Sequence, residues 1–243
     1  MKLLGIMSIF FLVFGIIGCA SALQPQAQVD NNAGTQGLPP YSGPKARVAV
    51  ADFDVKAAKA GGEIGSGLRE MLVTALINSS RFSVVERQSL GAVLQEQELA
   101  ASGAAQAGSV QRGQIKTADI VISAAVTEFE PHASGGGVGI GGFGGVGGGI
   151  LGGLIGGSMN KAHMALDLRL IDTSTSEILS STRVQGSAKD VAGGIMTGFF
   201  GGWGLGAGLG AYANTPTEKA IRVCIIEAVK YVCQNIPPQY YKY

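Results

Sequence analysis

Histidine is nearly missing from this sequence: His132 and His163 are the only two. Neither stands at a spacing from cysteine or carboxylate that would build a metal site. His163 falls on the polar side of an alternating run, where a solvated side chain is the ordinary case. Charge is scarce as well, at 14% of residues, and the two signs nearly cancel to a net +1. That excludes the basic surface on which nucleic-acid binding depends. Catalytic patterns are equally thin. Asp52 and Asp54 share a strand face, but nothing around them suggests a cleft for paired acid–base work. Gly137, Gly139 and Gly142 fit a dinucleotide fingerprint as any glycine run would, with no acidic residue following at the required distance. Ser158 and Lys161 have the S-x-x-K spacing without its companion motifs. These absences describe a protein that is not an enzyme and that uses neither a metal nor a cofactor.

What is present in excess is glycine, 39 residues of 243, well above ordinary usage. Much of it lies in two uncharged stretches: ASGGGVGIGGFGGVGGGILGGLIGG (Ala133–Gly157) and GGIMTGFFGGWGLGAGLGAYA (Gly193–Ala213). The N-terminus is also apolar. Lys2 precedes a run from Leu3 to Ile17 and then Gly18-Cys19. A run of ~15 apolar residues is short for a membrane span and suits a secretory signal. The order Ile16-Ile17-Gly18-Cys19 is that of a bacterial lipoprotein signal, so residues 1–18 are expected to be removed and Cys19 acylated. Each buried acyl methylene then contributes ~0.8 kcal/mol of membrane binding. Ala20, where an aspartate would favour the inner membrane, leaves the outer membrane as the expected location.

Residues 19–45 hold Gln, Asn, Pro, Gly and Ser with no apolar period, and read as a tether. A domain follows over 46–236, with the glycine-rich stretches as insertions at 133–158 and 190–214, and 237–243 as a tail. RVAVADFDV (Arg47–Val55) reads as a strand. Leu68, Met71, Leu72, Ala75 and Leu76 recur at helical spacing, and Leu90, Val93, Leu94 and Leu99 mark one side of a second helix. KAHMALDLRLID is the clearest half-buried strand, with Ala162, Met164, Leu166, Leu168 and Leu170 on one face and Lys161, His163, Asp167 and Arg169 on the other. TSTS turns the chain into an antiparallel return, EILSSTRVQGS. A final helix runs from Pro216 to just before Pro237. Cys224 and Cys233 lie on opposite sides of it and cannot bridge within it. The expected class is α+β, a mixed sheet with flanking helices.

The glycine-rich stretches admit three readings. A flexible loop would carry Ser, Asn or charge, and these carry Ile, Leu, Phe, Val and Trp. A membrane helix fits the glycine at every fourth position. One helix per stretch, however, would carry Lys161–Ala188 across the membrane from the sheet to which it belongs. A β-hairpin in each stretch leaves and returns on one side. Val138, Ile140, Val146 and Ile150 share one parity in the first stretch. Val191, Ile195, Phe199, Trp203, Leu205 and Leu209 share one parity in the second. These are the expected membrane-facing residues. Four open strands cannot sit in lipid with unpaired edges, so this reading requires copies of the chain to close a ring.

MLVTALINSSRFSVVERQSLGAVLQEQE (Met71–Glu98) resembles the CsgG family, the curli secretion lipoproteins, as do STSEILSSTRV (Ser174–Val184) and SGGGVG (Ser134–Gly139). The resemblance implies a periplasmic α+β domain anchored through Cys19, and two hairpins that join those of other subunits in one outer-membrane barrel. The curli exporter itself is a ninefold ring that passes unfolded amyloid precursors. By that resemblance the partners are further copies of the chain, membrane lipid, unfolded cargo and periplasmic accessory proteins. The family narrows its pore with a loop carrying aromatic and asparagine side chains. Here that connection is the shorter KAAKAGGEI (Lys56–Ile64), with neither residue type. Lys56, Lys59 and Glu63 are its only charged groups and the candidate lumen-facing residues. Related domains occur in lipoproteins that activate peptidoglycan synthases and in the TolB N-terminal domain, so a non-pore envelope adaptor is the alternative.

Overall fold

The computed structural model describes residues 34–104, 110, 113–134, 160–190, 209, 212 and 215–243. These form an α+β domain with a mixed six-stranded sheet and three helices. In chain order they are β1 (Ala46–Val50), β2 (Asp54–Val55), α1 (Ile64–Asn78), β3 (Phe82–Val84), α2 (Leu90–Ala101), β4 (Ile120–Ser134), β5 (Asn160–Asp172), β6 (Ile178–Asp190) and α3 (Pro216–Asn235). The sheet runs β3-β1-β4-β5-β6, with β2 also on β4. Its first half is parallel and its second half is an antiparallel meander.

The strand expected over Arg47–Val55 is a bulged one. β1 pairs Val50 with Ile122, and β2 pairs Asp54 with Ala125 on the same partner strand. One more residue is used on this side than on β4, which is a β-bulge. Asp52 therefore leaves the strand, and its side chain is almost fully exposed. Phe53 turns into the core. Gly65 in the first turn of α1 sits beneath the bulge, where an added Cβ would lie 2.6 Å from the Phe53 carbonyl oxygen.

The alternation in β5 is realised as read. Ala162, Met164, Leu166, Leu168 and Leu170 are buried, and so are the five apolar positions of α1. α3 adds Ile221, Cys224, Ile225, Ala228, Val229 and Val232 to the same core. Its start follows from local chemistry. Thr215 is extended, its hydroxyl accepts from the Glu218 N–H, and Pro216 occupies the first turn. Its end comes where Ile236 turns extended ahead of Pro237. Burial of the Cys224 thiol pushes its pKa up to about 12, so it is an inert apolar group.

The second helix departs from expectation. α2 forms, but Val93, Leu94 and Leu99 are 42%, 43% and 49% exposed, and Gln97 is its one buried residue. Spacing specifies a face; it does not supply a surface to cover it. The helix is held at its start instead. The Glu86 carboxylate accepts from the N–H groups of Gln88 (2.6 Å) and Ser89 (3.1 Å). The Ser89 bond foremost holds that carboxyl below its usual pKa.

Two boundaries also shift. Residues 34–45, grouped with the tether by composition, fold onto the domain: Leu38 packs on the core and Pro39 accepts from Arg81 at 3.1 Å. The segment 237–243, set apart as a tail, pairs with the start of β1. The Lys45 N–H donates to the Tyr243 carbonyl (2.6 Å), Ala46 bridges Tyr241, and Arg47 lies 3.7 Å above the Tyr243 ring.

Asp172, at the end of β5, joins this closure to the turn before β6. One carboxylate oxygen accepts from Ser174 N (2.6 Å), Ser174 Oγ (2.5 Å) and Thr175 N (2.9 Å), and the other accepts from the Tyr240 hydroxyl. The Ser174 and Tyr240 hydroxyls, in that order, hold the carboxyl far below the usual carboxylate range. A depressed pKa gives stability that is complete above the unfolded value, ~3.9, and is lost as pH falls below it. Asp172→Asn is therefore expected to melt below the parent at neutral pH. The gap should hold down to about pH 4 and narrow below it. A gap that stays constant into strong acid would sink this assignment.

Candidate functional site

β4, β5 and β6 are longer than the rest of the sheet. Past the last β2 pair, Val55 with Val126, they continue as a three-stranded ribbon. Its final pairs are Ser134 with Asn160 and Asn160 with Asp190. The first glycine-rich stretch therefore joins two residues that are already paired. The second leaves one strand away and comes back beside the same end. Phe129 on β4 meets the Tyr212 ring edge-on at 5.4 Å, and the Thr217 hydroxyl donates to the Pro131 carbonyl at 2.7 Å. All four ends of the two stretches meet at one end of one ribbon.

Leu209 corrects the membrane-facing set. It is fully buried in the domain core, and its carbonyl accepts from the Tyr212 N–H at 3.0 Å. It shares the parity of Phe199 and Leu205, but by that point the chain has rejoined the domain. Val138, Ile140, Val146, Ile150, Val191, Ile195, Phe199, Trp203, Leu205 and Cys19 lie outside the described residues.

The ribbon's open face carries an ion network. Glu128 reaches His163 Nε2 at 2.8 Å and Arg183 Nη1 at 3.1 Å, and Arg183 Nε donates to Asp167 at 2.8 Å. Thr127 Oγ1 donates to the same Asp167 at 3.4 Å. The Arg183 guanidinium holds the Asp167 carboxyl below its ordinary pKa, and Asp167 raises that of Arg183. All these groups are partly exposed, so their strength is limited by solvent screening. Their effect is on register, because they tie β4, β5 and β6 together across the ribbon. The polar parity of β5 was legible in sequence, but Glu128 as its partner was not. A bulge between Val126 and Glu128 shifts which β4 residues face which on β5.

The candidate lumen residues do not converge. The Lys56 N–H donates to the Val126 carbonyl (2.9 Å), and Lys59 pairs with Glu130. The Glu63 backbone starts α1, and its carbonyl accepts from the Ser66 hydroxyl at 2.8 Å. The connection thus lies along the flank of the ribbon.

The Glu86-Arg87-Gln88 block has a structural task. Arg69 of α1 is buried. It donates to the Val50 carbonyl (3.3 Å) and to Gln88 Oε1 (2.6 Å), with the Asp52 and Glu86 carboxylates each 3.6 Å away. One guanidinium so links strand, helix and the entry to α2.

Among the described residues, no three His, Cys, Asp or Glu side chains are placed to hold a metal ion. No described helix is long and apolar enough to cross a membrane. A family model described as curli production assembly/transport component CsgG matches residues 31–240. The chain belongs to the CsgG family. That description is of a transport component and not of an enzyme. No curated protein matches the chain. Among solved structures it is similar to the hypothetical protein CT253 from Chlamydia trachomatis. That match has 15% identity, 79% of this chain and 99% of the other covered, and a TM-score of 0.43. It is also similar to a PelC dodecamer from Paraburkholderia phytofirmans (13% identity, 78% and 91% covered, TM-score 0.35). A further match is the LpoB C-terminal domain from Escherichia coli (14%, 65% and 98%, 0.33). The CsgG match begins at residue 31, close to where the described chain begins.

Proposed function

We propose that this CsgG protein is a lipid-anchored subunit of an outer-membrane channel. Copies of the chain join in a ring and pass unfolded, curli-like polypeptides by diffusion. The observation that carries the reading is the meeting of all four ends of the glycine-rich stretches at the end of the β4–β5–β6 ribbon. A stretch that crossed a membrane once would separate strands that are paired in one sheet. A hairpin in each stretch keeps them together and extends the ribbon, whose strand register the ion network already fixes. Closure against copies of itself follows from the cost of unpaired backbone groups in lipid. The absence of a nucleotide motif in the sequence supports passive transport. Cys19 supplies the anchor and the periplasm holds the domain.

The exposed apolar side of α2 supports a second reading, an envelope adaptor that presents Val93, Leu94 and Leu99 to a partner. Negative-stain microscopy of the detergent-extracted full-length protein separates the two. The channel reading expects rings with an open centre. Small single particles would remove it and leave the adaptor.

A further inference from the structure

The crossovers β1–α1–β3 and β3–α2–β4 run in opposite directions across the sheet. Both join parallel strands, and such crossovers are right-handed, so α1 and α2 belong to opposite faces. α1 and α3 share the face that holds the core. Val121 lies between the core residues Ile120 and Ile122, so it points to the other face. Arg87, just before α2, lines a cavity with Val121 and Thr173, which places the entry to α2 on that second face.

α2 does not fill this face. Register lays two rows of side chains across β4, β5 and β6 there: Val121–Ile171–Ile178 and Ser123–Arg169–Ser181. All six are half-buried or exposed. A sheet face with an apolar row ordinarily carries a second layer. α2 has the matching lack. Val93 and Gln97 turn towards Val110 and Ile115 across a groove. Leu94 and Glu98, one turn apart on the neighbouring side, are exposed.

Spacing and charge fit the two together. Residues one turn apart on a helix stand ~5–6 Å apart, and residues two apart on a strand ~6.6 Å. A helix laid along β5 and running against it therefore sets Leu94 on Ile171 and Glu98 on Arg169 at once. α2 carries Glu96 and Glu98 and no basic residue. Arg169 is exposed in the middle of the bare face. Among the described residues none of these three takes part in an ion pair. Within one chain the contact is not made, since Leu94 stays 43% exposed. We propose that α2 of one copy packs on the second face of β4–β5–β6 of another copy, with Leu94 over Ile171 and Glu98 paired to Arg169. The inference uses neither glycine-rich stretch and takes nothing from the channel reading.

Cross-linking between two co-expressed full-length copies, one with Leu94→Cys and the other with Ile171→Cys, tests this under mild oxidation. The pair should give a disulfide-linked dimer about tenfold above either variant expressed alone. Glu98→Arg added to the first copy should cut that yield about fivefold or more. Arg169→Glu added to the second copy should then restore it to within about twofold. A misfolded copy could not be rescued in this way. A dimer as strong from Leu94→Cys alone means that α2 meets itself, and overturns the pairing. So does a missing cross-link, which leaves the α2 face to a different protein, and so does a yield that ignores both charge changes. Particle size is read by microscopy on the same samples. Rings without the cross-link sink the pairing and keep the channel; a cross-link without rings does the reverse.

Discussion

Gly186→Ala is expected to unfold the domain or leave it severely weakened. α3 passes close over Gly186 on β6. A Cβ there would stand 2.1 Å from the Ala220 carbonyl oxygen and 2.9 Å from both the amide nitrogen and the Cβ of Cys224. Those neighbours are mostly helix backbone, so no side-chain rotation relieves the overlap. α3 must move as a body, and with it the packing of Ile221, Cys224 and Ile225 on the sheet. Overpacking a well-filled core costs about 1–3 kcal/mol, and a clash with rigid backbone belongs at or beyond the top of that range. For a domain of this size each kcal/mol lowers the melting temperature by about 2–4 °C. Gly91→Ala is the matched control. Gly91 lies in the first turn of α2 with open space around it, so alanine should stabilise by ~0.4–1 kcal/mol. Thermal melts of the two variants should move in opposite directions. A Gly186→Ala protein that melts with the parent would mean that helix and strand do not approach as described.

Lysine at Phe199 or Leu205 is expected to abolish the large oligomer, whereas lysine at Gly202 or Gly206 should leave it intact. On the hairpin reading the first two positions face lipid and the second two face the lumen. A lysine facing lipid near the bilayer midplane costs about 2–4 kcal/mol. A ring repeats that cost in every subunit, so a moderate penalty becomes a near-complete block. Leu209→Lys separates insertion from folding. Leu209 is buried in the domain, so its replacement should lower the melting temperature of the domain itself. The readout is the amount of ring-sized species recovered from membranes by detergent. Equal recovery from both sets of variants would defeat the parity assignment.

These positions mark how far the sequence could be read. Alternation in β5 and helical spacing in α1 translated directly into buried faces, because each of those elements has one side in a single core. α2 shows the limit. Its apolar residues were legible, but their burial depends on a surface that the described part of the chain does not provide. The bulges at Ala51–Phe53 and after Val126 were not legible. An inserted residue leaves no mark in composition, yet it decides that Phe53 is buried and that Glu128 meets His163. The Arg69 link was missed for a related reason: an arginine on a helix reads as a solvated charge until the strand carbonyl and Gln88 are brought to it. The site itself was half legible. Sequence located the two stretches, and only the register of β4, β5 and β6 showed that their ends coincide.

The closure of β1 by Tyr241 and Tyr243 bears on when this chain can fold. Among the described strands β1 is made first, and the backbone at its start is completed by residues nearly two hundred positions later. Contacts at such sequence separation form late, because a long loop must close before they form. A growing chain therefore has an unfinished β1 until Tyr241 and Tyr243 have been made. The domain stays open until that segment arrives and locks only then.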